Sequence, residues 1–136
     1  QRQMCIRDSR YPAADAALES TDYLRRLDAY TFHEGFAHLL SYQATGIDCV
    51  DWHTPQLTEV AAASRAKLRL ALMETDPDRQ KQFLEEAVCG SYYEKFACMC
   101  GMLYLADRWE TQGIDGLQSA FADYHGFAQR ALSIRI

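Results

Sequence analysis

The segment His33-Glu34-Gly35-Phe36-Ala37-His38 places one carboxylate between two imidazoles. From Ala29 to Ile47, Glu34 is the only formally charged residue, and its neighbours include Phe32, Phe36, Leu39, Leu40 and Tyr42. A carboxylate is costly to bury without a partner. A cation is the economical partner, because neutral imidazoles bind Zn²⁺ and the metal's charge stabilises a nearby carboxylate. The bland alternative is a pair of histidines satisfied by hydrogen bonds in an ordinary core.

The spacing carries a structural demand. In His-Glu-x-x-His the imidazoles sit at i and i+4, about 40° apart around a helix, whereas the i, i+5 pair here lies about 140° apart in a regular helix. A single π-type bulge would return both rings to one face. Gly35 and Ala37 are small enough to ease it, so a bulge is expected between Gly35 and Ala37.

His-Glu-x-x-x-His resembles the zinc motif of the dipeptidyl-peptidase III type. His-Glu-Gly-Phe-Ala-His-Leu-Leu is also similar to zinc-dependent peptidases of the wider zincin group. The resemblance implies His33 and His38 as zinc ligands and Glu34 as general base. It also implies a third ligand from a later helix, commonly a Glu. Glu94, in Gly90-Ser91-Tyr92-Tyr93-Glu94-Lys95-Phe96, is the first candidate, with Glu110, Glu85 and Glu86 behind it. Ser91-x-x-Glu94 also reads as a capping box, a role that needs no metal. The second dipeptidyl-peptidase III motif, Glu-Glu-x-Arg/Lys-Ala-Glu, is not matched, since Glu85-Glu86 is followed by Ala87-Val88-Cys89-Gly90. Dipeptide release is therefore not carried over. The resemblance covers the motif helix and, loosely, the Glu94 helix.

The reaction expected from the resemblance is hydrolysis of a peptide or protein substrate. Zinc on three protein ligands keeps a position for water, lowers its pKa to about 7 and polarises the scissile carbonyl. Glu34 would take the water's proton and pass it to the leaving amine. Tyr92, Tyr93 or His125 would stabilise the oxyanion. The rival expectation is a non-catalytic α-helical module that binds metal or another protein. A ferritin-like di-iron bundle is disfavoured because it needs Glu-x-x-His pairs, and the chain has none.

The elements that must position these residues read as helices joined by short turns, with no alternating β-branched stretch long enough for a strand. The expected class is all-α, a bundle of about five helices forming the helical half of a zincin-like domain. The first helix is expected from Ser20 to Gln43, capped by Ser20 or Thr21, with Gly46 beyond its end. Thr54-Pro55 and Asp76-Pro77 each give a cap followed by proline at the first helical position. They open helices running to about Glu74 and Val88. Ser91 is expected to start a helix that carries no charge between Phe96 and Ala106, which marks it as central. Asp115 opens a last amphipathic helix through Leu117, Phe121, Tyr124 and Ala128.

At 136 residues with net charge −5, the chain suits one domain and lacks the basic stripe of a nucleic-acid binder. No apolar run approaches the roughly 20 residues of a membrane span. Cys49, Cys89, Cys98 and Cys100 have no Cys-x-x-Cys spacing and read as reduced thiols, which fits a cytoplasmic setting. Cys98-x-Cys100 could bind a soft metal, but two positions apart on a helix the pair points about 200° apart, so both read first as packing residues. His53 reads as a surface residue. Gln1–Ser9 looks like translated adaptor sequence, so residues 10–136 are taken as the domain, with a natural chain expected to continue upstream.

Overall fold

A computed structural model describes residues 16–42 and 45–135, and Gln1–Ser9 lies outside the described residues. Five helices and no strand are found among the described residues, in an all-α bundle.

Helix α1 (Tyr23–Leu40) is capped by Asp22, whose carboxylate accepts from the backbone N–H groups of Leu24 and Arg25 at 3.1 and 3.4 Å. This corrects the expected Ser20 or Thr21 cap. Ser20 instead accepts from the Asp22 N–H at 3.0 Å and so holds the true cap in place. The helix also closes sooner than Gln43, because the Tyr42 N–H turns back to the Leu39 carbonyl at 3.1 Å.

Helices α2 (Pro55–Met73) and α3 (Pro77–Val88) begin where the Thr-Pro and Asp-Pro pairs place them. Thr54 Oγ1 accepts from the Leu57 N–H at 3.2 Å, and the Asp76 carboxylate accepts from the Arg79 N–H at 3.0 Å. Both caps satisfy donors that the first turn leaves open.

The central helix α4 (Phe96–Phe121) differs from expectation at its start. Ser91 makes no side-chain cap bond, and Tyr92–Glu94 forms a single 3₁₀ turn before the α-helix starts at Phe96. Non-helical backbone at Gly113 (φ 62°, ψ −147°), a conformation that glycine adopts at little cost, breaks α4 just before Asp115, where a further helix was expected to open. Every residue from Phe96 to Asp107 is buried, as the uncharged stretch requires.

A short α5 (Phe127–Ala131) closes the bundle. Asp28 of α1 holds its start, accepting from the Gly126 and Ala128 N–H groups at 2.9 and 3.0 Å. Phe32 packs edge-on against Phe127 at 5.4 Å, and Phe36 against Phe121 at 5.2 Å, which seals α1 to the C-terminal elements. No helix among the described residues is long and apolar enough to cross a membrane.

The contact between α1 and α4 fixes the rest. Gly35 and Gly101 meet backbone to backbone: a Cβ on Gly35 would lie 2.8 Å from the Gly101 carbonyl carbon, and one on Gly101 would collide with the Thr31 carbonyl. Neither position has room for a methyl group. This explains Gly35 differently from the expected bulge. Helix α1 is regular from Tyr23 to Leu40, and the glycine serves close helix packing rather than a distortion.

Candidate metal centre

With α1 regular, the residue one turn from His38 is Glu34, the i, i+4 partner. His33 falls on another side of the helix, 3% exposed, with its ring edge-on to Phe32 at 5.3 Å. Glu34 and His38 face α4, whose first turn presents Cys98. Among the described residues, the one group of three metal-ligating side chains that comes together is Glu34, His38 and Cys98, each offering an atom within 4.8 Å of the others. The structure thus brings the expected ligand His38 and the expected base Glu34 to one place. It leaves His33 and Glu94 outside the group.

The internal geometry suits a cation. His38 Nδ1 lies 2.7 Å from the Glu34 carbonyl oxygen, so the ring donates through Nδ1 and carries its lone pair on Nε2. A backbone partner of this kind is what orients a ligating imidazole. The Glu34 carboxylate is 3.8 Å from His38 Nδ1, and the Cys98 thiol donates towards the same carboxylate at 3.9 Å. As a group the three side chains offer one ligand atom each within 4.8 Å of one another, against roughly 3.3–3.8 Å between ligand atoms around a tetrahedral zinc. Nitrogen, sulfur and oxygen donors together fit zinc better than magnesium or calcium.

Charge at the site follows from burial. Burial lowers the His38 pKa, the carbonyl contact opposes this, and Lys95 adds to the lowering, so the imidazole is neutral at pH 7. Burial and the Glu34 carboxylate push the Cys98 thiol up to about 12, against the pull of Lys95. Cys98 is fully buried and also lies 3.6 Å from the Ala87 carbonyl. The outer side of the site is aromatic. The Tyr92 ring lies 5.6 Å from the His38 ring, and its hydroxyl donates towards Met102 Sδ at 3.7 Å and lies 3.4 Å from the Tyr42 hydroxyl. Burial raises the Tyr92 pKa, so it remains a protonated donor.

The remaining sequence candidates lie elsewhere. Glu94 is exposed in the 3₁₀ turn. Glu110 accepts from His53 Nε2 at 2.7 Å on the surface, and Glu86 pairs with Lys67 at 2.5 Å. Glu85 is exposed on α3. His125 is exposed and pairs with Asp123 at 2.8 Å, while Tyr93 stacks edge-on against Tyr92 at 5.1 Å. Of the three oxyanion candidates, Tyr92 is the one against His38. Sequence reasoning weighed Cys98 as a soft-metal ligand together with Cys100 but ranked packing ahead of ligation, and it did not weigh Lys95. Lack of charge on its helix placed Cys98 in the core, but only the α1–α4 contact places it beside Glu34.

No family profile, curated protein or solved structure matches the chain.

Proposed function

We propose that this chain binds zinc through His38 and Cys98, with Glu34 as the base beside them, and belongs to a hydrolase acting on peptide bonds. The observation that carries the reading is the convergence of these three donors from two helices. The resemblance of the α1 motif to zincin-type peptidases supplies the reaction class. Bound zinc would supply a water of pKa about 7 and a polarised substrate carbonyl.

The chain's own residues divide the remaining work. His38 presents Nε2 while the Glu34 carbonyl holds Nδ1–H, which fixes the tautomer. Cys98 would give up its proton to become a ligand. Glu34 has two carboxylate oxygens, so it can stand beside the ligands and accept the proton of an attacking water. Tyr92, held as a neutral phenol, is the hydrogen-bond donor for developing negative charge.

Metal analysis of purified protein tests the site, with about one zinc per chain expected in the wild type. His38→Ala and Cys98→Ala should each lose it. No zinc in the wild type ends the proposal. Peptide hydrolysis abolished in Glu34→Gln, with zinc retained, would assign Glu34 as base. Zinc bound without turnover on any peptide would favour the non-catalytic metal-binding module.

A further inference from the structure

The metal-ligating group already has a cation beside it. Lys95 immediately precedes α4, and its ammonium donates towards His38 Nε2 at 3.5 Å, the nitrogen that would have to face a metal. The same ammonium lies 5.4 Å over the Tyr92 ring. Its charge reaches both other titratable neighbours, lowering the pKa of His38 and opposing the rise at Cys98. Among the described residues, the titratable groups it acts on are His38 from α1, Tyr92 from the 3₁₀ turn and Cys98 from α4. Lys95 is the cationic member of this set.

We propose that Lys95 is the resident cation of the Glu34–His38–Cys98 site, and that a divalent metal binds by displacing its ammonium from His38. The inference rests on the reading of that group as a metal site. Without metal, the ammonium uses the Nε2 lone pair. A dication at the same nitrogen repels it across a few ångströms. The Tyr92 ring, 5.4 Å from the ammonium, can go on holding it through cation–π attraction once His38 is given up. Lys95 therefore sets how tightly metal is held.

The test is titration of zinc chloride into the full chain and its Lys95→Met and Lys95→Arg variants, followed by calorimetry. Methionine keeps an unbranched stem and removes the charge, and the Lys95 carbonyl bond to the Met99 N–H comes from backbone and is unaffected. Zinc should bind Lys95→Met at least about tenfold more tightly than wild type, with Lys95→Arg close to wild type. In the metal-free chain, the ¹⁵N resonance of His38 Nε2 should shift in Lys95→Met, as expected for loss of a donor. Lys95→Gln provides the same comparison if the methionine variant does not fold. Equal zinc affinity in wild type and the neutral variants overturns the role of Lys95 and leaves the metal site standing. Absence of zinc binding in all of them overturns both.

Discussion

At the scale of single residues, Cys98 is the side chain whose state most depends on what binds. Its thiol is pushed up to about 12 by burial and by Glu34, so it is protonated at neutral pH. A coordinating thiol is deprotonated outright. His38 is already neutral at pH 7, because burial lowers its pKa, and contributes no proton. Zinc binding at pH 7 should therefore release about one proton, and affinity should rise with pH by about tenfold per unit. Calorimetry in buffers of differing ionisation enthalpy counts that proton. A count of zero would remove Cys98 from the ligand set. Glu34 and His38 were legible in the sequence because one carboxylate in a long uncharged window asks for a partner. Cys98 was not legible, since it joins them only through the packing of two helices distant in sequence. Lys95 gave no sequence signal, because a lysine at a helix start is ordinary.

At the scale of elements, proline and cap chemistry made α2 and α3 readable to within a residue. Thr54 and Asp76 bind the N–H groups that their positions predict. The starts of α1 and α4 were less readable. Asp22 competes with Ser20 and Thr21 as a cap of similar strength, and only the bonds to Leu24 and Arg25 decide among them. At Ser91 the local capping pattern loses to a 3₁₀ turn that places Tyr92 against His38. The attachment of α5 was invisible in sequence, since its first N–H groups are satisfied from α1 by Asp28. Asp28→Ala should leave those donors without the carboxylate and destabilise the fold by about 1–2 kcal/mol. Asp28→Asn, with one acceptor oxygen in place of two, should cost less. Urea unfolding of the three proteins makes the comparison, and an unchanged midpoint in Asp28→Ala would show that α5 is held by its apolar contacts alone.

At the scale of the whole molecule, the candidate ligands join α1 to the central helix α4, so a metal there ties together the two elements with the most extensive mutual packing. A ligand that binds only the folded chain stabilises it by about 2.7 kcal/mol at a hundred times its dissociation constant. Saturating zinc should raise Tm by several degrees, and His38→Ala should abolish the rise while leaving the metal-free Tm nearly unchanged. Calorimetric scans with and without zinc provide the measurement. A similar rise in His38→Ala would place the metal at another location.

The Gly35–Gly101 contact then acquires a second meaning as the gauge of the site. Two absent methyl groups set the gap between the helix bearing Glu34 and His38 and the helix bearing Cys98. Gly101→Ala would act as a shim, prising that gap open without touching any donor atom. Zinc affinity should fall by at least about tenfold, together with a loss of stability of about 1–3 kcal/mol from overpacking. An unchanged affinity in a folded Gly101→Ala protein would mean that the donors set their own spacing. The tolerance of the centre is therefore machined into the backbone, at positions that carry no chemistry of their own.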